Sequence, residues 1–586
     1  REACGNTVRN ITACHRSGVS ETQIFDVTPY AEGLYEFLVR NKWNQVMGRK
    51  IKIAFESCAE DHVGLLYHDF GFQAKIQDGQ RGFRTYIAGG LGAVPMLGHL
   101  FSEFLPEEDM LRFGAAAVRI FDRYGERKNR MQARMKYLAK KMGKEELCEA
   151  VRKEMGVIEL DDSVNDYLIA ARVPVEPPPI PENLPEAPEG VADSDAYREW
   201  LKDNVDGSCH QGFKAVNVRL KLGDILTDDS RKLAAIAETF SNAELKITIE
   251  QNLYLPWVPE QALPALFDQL TQIGLAATGA ETLIDTTTCP GADTCRLGIT
   301  SAKGLGAKIS DDMETRLARF KEIGRDIRVK ISGCPNSCAQ HMIANIAFQG
   351  AASKKDGKSV PSHMLFVGGN QDIDNSAVAQ RIGKYPARNC PEIVETLMDN
   401  YDKQRINGET FNETMNRLGK DGIKALIAHL EQAPAFDDDP EFYKDWGHDN
   451  ESFAVRQGVK GECAGAPVQE KAPTFAEAQE HMSQAEAFLK HKELPNAQIE
   501  VYEAVAGAAR VPLYKALCDP FTAEQALWEF ENIFVRTNGT GSEWFDSADR
   551  FVEQRDAEMD ADQVAEFIET GKRYLAECEK KLNAMG

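Results

Sequence analysis

Four of the thirteen cysteines in this 586-residue chain form two pairs, each with a proline directly after its first cysteine. The pairs are Cys289 and Cys295 in TTTCPGADTCRLG, and Cys334 and Cys338 in ISGCPNSCAQH. Iron–sulfur clusters are held by four cysteine thiolates, and a loop can aim two nearby cysteines at one face of a cluster. The prolines stiffen these loops, and adjacent glycines let the backbone pass close to sulfur. The spacing therefore indicates a four-cysteine iron–sulfur site.

Other interpretations of these cysteines stay open. Structural zinc usually takes cysteines separated by two to four residues, and the five residues between Cys289 and Cys295 exceed that spacing. Disulfide frameworks are typical of small secreted chains, whereas an odd cysteine count scattered through a long chain favours a reducing compartment and predicts a cytoplasmic protein. Buried cysteines without a ligand are also common. The other nine cysteines show no grouping, and we interpret them as structural.

The elements that position these cysteines are duplicated in the sequence. Residues 51–74 overlay residues 327–350 without a gap, which matches Cys58 with Cys334 and the dipeptide Phe72-Gln73 with Phe348-Gln349. A Gly-Gly pair follows each copy, at Gly89-Gly90 and at Gly368-Gly369. The overlay predicts two similar halves in a pseudo-twofold arrangement that can hold a cofactor at the seam.

Hydrophobic periodicity and the positions of prolines indicate the remaining secondary structure and domain organisation. Glu107–Met155 reads as helical, and Val173–Gly190 carries seven prolines, as in a semi-rigid linker. A small α/β module follows, with strands predicted at 216–222 and 245–255 and helices at 228–240 and 262–273. Amphipathic segments near 475–491, 496–509, 522–535 and 561–583 predict a C-terminal helical bundle.

Composition excludes two classes of partner. Lysine and arginine number 68 against 91 acidic residues, and the net charge of −23 opposes general binding of nucleic acid. Runs of eighteen or more apolar residues are absent from the sequence, which argues against a membrane partner. The chain begins with Arg1 rather than Met, so we interpret its N-terminus as processed or missing.

The pattern Cys289-x₅-Cys295 followed by Cys334-Pro-Asn-Ser-Cys338 resembles the signature of the siroheme-dependent nitrite and sulfite reductases. The resemblance covers about residues 1–430 and implies that the four cysteines bind a [4Fe–4S] cluster, with Cys338 also bridging to the siroheme iron. Four further segments resemble the family's siroheme- and anion-binding segments and the helix after them: ACGNTVRN at 3–10, GRKIKIAF at 48–55, GGLGAVP at 89–95 and DRYGERKNRMQARMKYL at 122–138.

The resemblance implies an α+β fold with the duplicated pseudo-twofold architecture of these reductases and an all-helical C-terminal bundle. The predicted segments are a first siroheme-binding domain at 1–170, a proline-rich linker at 171–205, a ferredoxin-like half-domain at 206–280, a second siroheme and [4Fe–4S] domain at 281–430, a linker at 431–472 and the bundle at 473–586.

Fixed cations suit this site because siroheme carries many carboxylates and the substrate is an oxyanion. Lys50 and Lys52 lie two apart on a predicted strand and so share one face, although a solvated strand face would look the same. The basic residues of 127–136 fit a solvated helix face equally well. By resemblance, Arg9, Lys50 and Lys52 act on the substrate. The residues implied to bind cofactor are Arg9, Asn10, Arg49, Lys50, Lys52, Gly89, Gly90, Arg134, Asn336 and Cys338.

The Lys50-Ile51-Lys52 pattern bears on the substrate. It resembles family members that reduce sulfite, whereas plant-type nitrite reductases tend to have asparagine at the second position. The resemblance therefore favours six-electron reduction of sulfite to sulfide, with nitrite reduction to ammonia as the alternative. The glycines of 89–98 do not form a dinucleotide fingerprint, so we expect electrons from a ferredoxin or a separate flavoprotein.

The resemblance implies that family members begin with a ferredoxin-like half, and we expect that half to be missing here because the sequence starts just after it. The pseudo-symmetric counterpart of that half is predicted to be present, with its equivalent strand at Ile247–Leu255. The chain is therefore also open to interpretation as an incomplete cofactor-binding subunit that needs an N-terminal fragment for activity, or as a structural zinc protein.

Overall fold

The computed structural model describes residues 6–39, 44, 47–160, 164–295, 297–454, 473–516, 518, 520, 522–537 and 541–585. Two five-stranded sheets carry the cofactor-related segments, a four-stranded sheet lies between them in sequence, and helices form the C-terminal region. Within the described ranges, every helix is too short or too polar to span a membrane.

The first half is built on a sheet with strand order β1-β2-β3-β4-β5, in which β1, β2 and β3 run parallel and the later pairs are antiparallel. Phenylalanines of the sheet stack in its core, with the Phe55 and Phe72 ring centroids 4.5 Å apart. The elements are β1 (Val8–Ala13), α1 (Thr28–Val39), β2 (Ile51–Glu56), β3 (Phe70–Gln77), β4 (Gln80–Ile87), β5 (His99–Pro106), α2 (Met110–Tyr124), α3 (Met135–Met142), α4 (Lys144–Met155) and α5 (Val164–Arg172).

The ferredoxin-like unit has its own antiparallel sheet and its own apolar core. The sheet order is β6-β7-β9-β8, and Trp200 is fully buried beneath it among leucines and valines. The elements are α6 (Asp195–Asn204), β6 (Val205–Asp206), β7 (Phe213–Val218), α7 (Thr227–Phe240), β8 (Lys246–Ile247), β9 (Leu253–Pro259) and α8 (Leu263–Gln272).

The second half repeats the sheet of the first half. Its order is β10-β11-β12-β13-β14, again with three parallel strands followed by antiparallel pairs. The elements are β10 (Thr287–Thr288), α9 (Ala302–Glu314), β11 (Val329–Ser332), β12 (Ile346–Lys355), β13 (Lys358–Val367), β14 (Gln380–Pro386), α10 (Cys390–Gln404) and α11 (Phe411–Leu426).

Strand register confirms the predicted duplication. Ile53 pairs with Phe70 in the first sheet, and Val329 pairs with Ile346 in the second. Both partners are displaced by the same 276 residues that align Ile51 with Ile327. The matched segments therefore form the same strands in the same register.

The two halves also contact each other through their loops. Tyr67, in a short 3₁₀ helix of the first half, donates its hydroxyl to the carbonyls of Asn370 (2.6 Å) and Ala377 (3.0 Å), in the loop after the second Gly-Gly pair. Leu91, after the first Gly-Gly pair, packs with Met342 of the second half. Each half thus covers the corresponding helical turn of the other.

The C-terminal bundle packs on α2 of the first half. Arg123 lies between Glu154 (2.8 Å) and Glu529 (2.7 Å), and all three side chains are buried. The Arg119 guanidinium lies over the Trp528 ring at 3.7 Å. The bundle helices are α12 (Phe475–Lys490), α13 (Leu494–Lys515), α14 (Ala523–Phe530), α15 (Ser547–Asp556) and α16 (Ala561–Ala584), with a π-helical segment at Glu531–Arg536.

Two predicted elements differ from the structure. The helical stretch from 107 to 155 forms three helices, because Gly125 follows α2 and the polar residues after it favour turns over helix. The strand predicted at 245–255 is split into β8 and β9 by a turn in which Gln251 has a φ of 70° and the backbone N–H of Asn252 donates to the Thr248 hydroxyl.

Both boundaries of the proline-rich linker predicted at 171–205 also move. At its start α5 extends to Arg172, and at its end Asp195–Asn204 form α6, whose Tyr197 and Trp200 are part of the ferredoxin-like core. In the bundle, α15 is an additional helix whose short polar sequence gave little periodicity. The second predicted linker, 431–472, lies partly outside the described residues.

Candidate functional site

The predicted cations gather at the start of β2. Lys50 precedes the strand and Lys52 lies within it, while Ile51 and Ile53 on the opposite face are fully buried. Lys52 is exposed and Lys50 half-buried. The alternation of a strand therefore directs both ammonium groups to one side, as the sequence predicts.

Several positive charges gather there around one carboxylate, that of Asp69. Burial lowers the pKa of Lys50 to about 8, helped by the charges of Lys52, Arg134, Arg9 and Arg49. Burial by surrounding atoms also lowers the pKa of Lys52, although its side chain still reaches open space. The Nη1 of Arg49 is buried and has no hydrogen-bond partner among the described residues. Such a surface fits a polyanionic ligand.

Arg134 is held by a buried carboxylate. Its Nη2 lies 2.6 Å from Asp69 Oδ2, and the same oxygen accepts the backbone N–H of Lys52 at 2.8 Å. Asp69 thereby fixes both the predicted cofactor residue Arg134 and the β2 backbone. Sequence inspection missed Asp69, because its partners lie 17 and 65 residues away.

The two glycines of the Gly89-Gly90 pair have different surroundings. A Cβ at position 89 would lie 2.2 Å from the Leu66 carbonyl oxygen, so this glycine is required for close backbone packing. A Cβ at position 90 would lie 3.2 Å from Arg134 Nη2, which places Gly90 beside the cations. Lys136 secures the loop by donating to the Leu91 (2.8 Å) and Val94 (2.5 Å) carbonyls. Gly90 therefore borders the candidate site, and Gly89 shapes the turn behind it.

The basic residues of 127–136 do not form the predicted helix face. Arg127 pairs with Asp122, Arg130 Nη2 lies 3.4 Å from Asn6 Oδ1, and Lys136 binds loop carbonyls. They lie largely in the turn between α2 and α3, and several have intramolecular partners. Arg134 alone among them is directed to the Lys50–Lys52 group.

The four predicted cysteines lie on two adjoining loops. The Cys289 sulfur accepts the backbone N–H groups of Gly333 (3.2 Å) and Gly291 (3.4 Å). Burial raises the pKa of Cys289 and raises that of Cys334 to about 11, and the charges of the other cysteines of the set add to both shifts. Cys338 is exposed and Cys295 half-buried. The four thiols therefore share one site.

The separation of the four sulfurs bears on the choice between a cluster and a single zinc ion. Tetrahedral zinc with sulfur ligands at about 2.3 Å requires sulfurs about 3.8 Å apart. In the described part of the chain, the one group of three or more such ligand atoms within 4.8 Å of one another lies elsewhere, at Cys14, Glu56, Cys58 and His62. The four cysteines are more widely spread, which fits a multi-iron cluster.

The cations and the cysteines meet across the two halves. Burial lowers the pKa of Lys52, in the first half, and the charge of Cys338, in the second half, opposes part of that decrease. Asn336 is exposed on the same loop, and its backbone N–H opposes part of the rise that burial causes in the pKa of Cys334. Arg9 is half-buried and Asn10 exposed on β1. The site therefore places a group of cations beside four thiols, an arrangement that fits a siroheme next to an iron–sulfur cluster.

A buried ion pair behind the cysteines was missed. Lys330, on β11, lies 2.6 Å from Glu250 in the turn between β8 and β9, and Thr287 of β10 donates to the other oxygen of Glu250 at 2.8 Å. This contact joins the ferredoxin-like unit to the cluster-bearing strands. The only sequence signal was a lysine inside an otherwise apolar strand.

Comparisons with known proteins agree with this geometry. The family description "Nitrite and sulphite reductase 4Fe-4S domain" matches residues 4–159 and 279–433, more than half of the chain. "Nitrite/Sulfite reductase ferredoxin-like half domain" matches residues 210–273. The solved structure of Mycobacterium tuberculosis NirA protein aligns with a TM-score of 0.58 at 23% identity, over 72% of each chain, and supports the fold.

Curated relatives carry two kinds of name. Ferredoxin–nitrite reductase of Synechococcus elongatus is 25% identical over 67% of this chain and 72% of its own. The chloroplastic enzyme of Zea mays is 25% identical over 67% and 66%. Sulfite reductase [ferredoxin] 1 of Mycolicibacterium paratuberculosis is 25% identical over 72% of each. The matched regions thus cover about two thirds to three quarters of these relatives. The chain belongs to the nitrite and sulphite reductase family, whose members are oxidoreductases that use siroheme and a [4Fe–4S] cluster.

Proposed function

We propose that this chain reduces sulfite to sulfide with six electrons taken one at a time from a ferredoxin. Siroheme and the cluster supply the redox chemistry when they are bound. Cys289, Cys295, Cys334 and Cys338 would hold the cluster, and Cys338 would also serve as the thiolate next to siroheme. Arg9, Arg49 and Arg134 are proposed to hold siroheme carboxylates.

The observation that carries the choice of sulfite is the Lys50–Lys52 pair. Two ammonium groups on one strand face suit an oxyanion of higher charge than nitrite. Three oxygens must leave sulfite as water, so the site has to deliver protons as well as electrons. An ammonium group with a pKa near 8, such as that of Lys50, is a good proton donor close to neutral pH.

Nitrite is the second candidate substrate. Two of the similar relatives that bear the name ferredoxin–nitrite reductase have the same 25% identity as the sulfite reductase relative. Both groups of relatives are named for ferredoxin, which favours that donor over a separate flavoprotein.

The test compares both anions on one preparation. The chain is produced with siroheme available, and about five irons per chain with siroheme absorption would establish loading. We expect kcat/KM with reduced ferredoxin to be at least about tenfold higher for sulfite than for nitrite, a difference of about 1.4 kcal/mol. A preference for nitrite of the same size would overturn the proposal.

The variant Lys52→Asn tests the lysine pair itself. Loss of one cation should lower kcat/KM for sulfite by about 10- to 100-fold and change nitrite turnover much less. Lys354→Asn is the matched control, since Lys354 is exposed near the turn joining β12 and β13. Equal losses for both anions would argue against a substrate-selecting role. A loaded protein that reduces neither anion until an N-terminal fragment is added would instead indicate an incomplete subunit.

A further inference from the structure

The first half contains a compact group of four potential metal ligands. The Cys14 sulfur lies 3.7 Å from His62 Nδ1, which lies 3.4 Å from Glu56 Oε1. Together with the Cys58 sulfur, all four ligand atoms lie within 4.8 Å of one another. Cys14, Glu56 and Cys58 are buried, and the His62 side chain is only 15% exposed. The group is therefore small and nearly closed to solvent.

We propose that Cys14, Glu56, Cys58 and His62 bind one zinc ion. Two thiolates, an imidazole and a carboxylate form a donor set that zinc accepts, and sulfur disfavours hard ions such as magnesium and calcium. Zinc bonds of about 2.0–2.3 Å place tetrahedral ligand atoms about 3.3–3.8 Å apart. The two measured separations fall in that range.

This group occupies the position of the cluster cysteines in the duplicated fold. The backbone N–H of Cys14 donates to the Phe55 carbonyl at 2.9 Å, as that of Cys289 does to the Ile331 carbonyl at 3.1 Å. Phe55 and Ile331 are equivalent, because each pairs with the matched phenylalanine, Phe72 or Phe348. Cys14 therefore corresponds to Cys289.

The other ligands follow the same correspondence. Cys58 matches Cys334, and His62, four residues later, matches Cys338. Both pairs are followed by equivalent 3₁₀ turns, Leu65–Tyr67 and His341–Ile343. Three of the four cluster positions thus keep a metal-ligating side chain in the first half.

The first-half group suits a single ion rather than a second cluster. Counting from the match of Cys14 with Cys289, the position of Cys295 falls on Ser20, which hydrogen-bonds Thr22 at 3.1 Å. The ligand atoms of the first-half group are also closer together than those of the four cysteines. A fourth ligand comes instead from Glu56, inside the site.

The Glu56 carboxylate is held in place by backbone hydrogen bonds. One oxygen accepts the backbone N–H groups of Ser57 (2.8 Å) and Cys58 (3.0 Å), and the other accepts that of His62 (2.7 Å). These bonds fix the carboxylate and the loop that carries two of the other ligands. Fixed ligands bind metal with less loss of conformational freedom.

A closed four-ligand site is structural rather than catalytic. The ligands join β1 to the loop after β2. That loop also contacts the second half, because Gln371 Nε2 donates to the Asp61 carbonyl at 3.0 Å. The zinc ion would therefore rigidify the surface on which the two halves meet.

The test measures zinc and iron together in the full chain, purified anaerobically with siroheme available. We expect about one zinc per chain beside the cluster and siroheme iron. Cobalt exchange should give the absorption of cobalt with two thiolates. The double variant Cys58→Ser/His62→Asn should lose the zinc and keep the iron. Cys148→Ser, a buried cysteine in α4 outside the group, should keep both.

Cobalt exchange of the unaltered chain decides the question if the double variant fails to fold. Zinc below about 0.1 per chain in iron-loaded protein, without cobalt–thiolate absorption, would refute the site. A Cys14–Cys58 disulfide found by mass spectrometry under anaerobic conditions would also refute it. Zinc that persists in the double variant and disappears in Cys334→Ser would assign it to the four cysteines instead. None of these readouts depends on which anion is reduced.

Discussion

Lys50 shows how one side chain can serve both binding and protonation. Burial and the neighbouring cations lower its pKa to about 8, so a fraction of the ammonium loses its proton just above neutral pH. An arginine at the same position would remain charged, since its pKa exceeds 12. A single substitution of Lys50 by arginine can therefore keep the positive charge while removing the proton donor.

The KM for nitrite should rise between pH 7 and pH 9, because Lys50 loses its charge in this range while nitrite remains an anion. Lys50→Arg should flatten this rise and also lower kcat at neutral pH, since guanidinium is a poor proton donor. The measurement is the pH profile of KM and kcat for both proteins. An unchanged profile in Lys50→Arg would exclude Lys50 as the titrating group.

Sequence reasoning predicts candidate residues at this scale where the chemistry is encoded locally. The spacing of the four cysteines and the alternation of Lys50 and Lys52 depend on neighbouring positions only. The partner of Arg134 could not be predicted in this way, because Asp69 reaches it only after β2, β3 and α3 have packed. The compact group around Cys58 was missed for the same reason, although the repeat had already paired Cys58 with Cys334.

At the scale of elements, α2 connects the first half to the C-terminal bundle through one arginine. Arg123 separates two buried carboxylates, Glu154 and Glu529. Burial raises the pKa of Glu529 to about 7 even beside this arginine. The docking of the bundle therefore depends on Arg123, which bonds both carboxylates, with Arg119 as a second cation 3.4 Å from Glu154.

Arg123→Met should destabilise the bundle by about 3–5 kcal/mol, because the buried Glu529 loses its ion-pair partner and Glu154 is left with the longer contact to Arg119, at 3.4 Å. The loss should be smaller at pH 5 than at pH 8. A carboxyl group whose folded pKa is raised is stabilised in its neutral form, and that stability is lost as the pH rises through the folded pKa. Differential scanning calorimetry at both pH values measures the effect. Arg198→Met, in an exposed pair with Asp195, should change stability by less than about 1 kcal/mol and is the control.

Secondary structure was predictable where periodicity extended over several turns, as in α7, α8 and the long bundle helices. It was not predictable where tertiary contacts decide. The turn between β8 and β9 exists because Asn252 and Gln251 bond to Thr248 and to the β10 strand, which no local pattern records. Likewise α6 follows a proline-rich segment, and its helix is stabilised by burial of Trp200.

At the scale of the whole molecule, the two halves are held together by reciprocal loop contacts. Tyr67 is buried and donates to two carbonyls of the second half. Tyr67→Phe should lower the free energy of unfolding by about 0.5–1.5 kcal/mol, because one buried hydroxyl hydrogen bond is lost while the Asn370 and Ala377 carbonyls keep each other's backbone N–H groups. Thermal unfolding of the siroheme-loaded chain measures this. Tyr35→Phe, at a half-exposed ring, should have no comparable effect.

The exchange of loops between two equal halves has the geometry of a symmetric homodimer, in which patch i contacts patch j and patch j contacts patch i. In a dimer of identical chains every substitution occurs twice, so both cofactor positions must remain the same. Joining the halves in one polypeptide removes that restriction. One position could then keep four cysteines while its counterpart acquired His62 and Glu56, and a cation wall could arise on one side only. The two halves of the site can therefore differ because both copies are joined in one polypeptide.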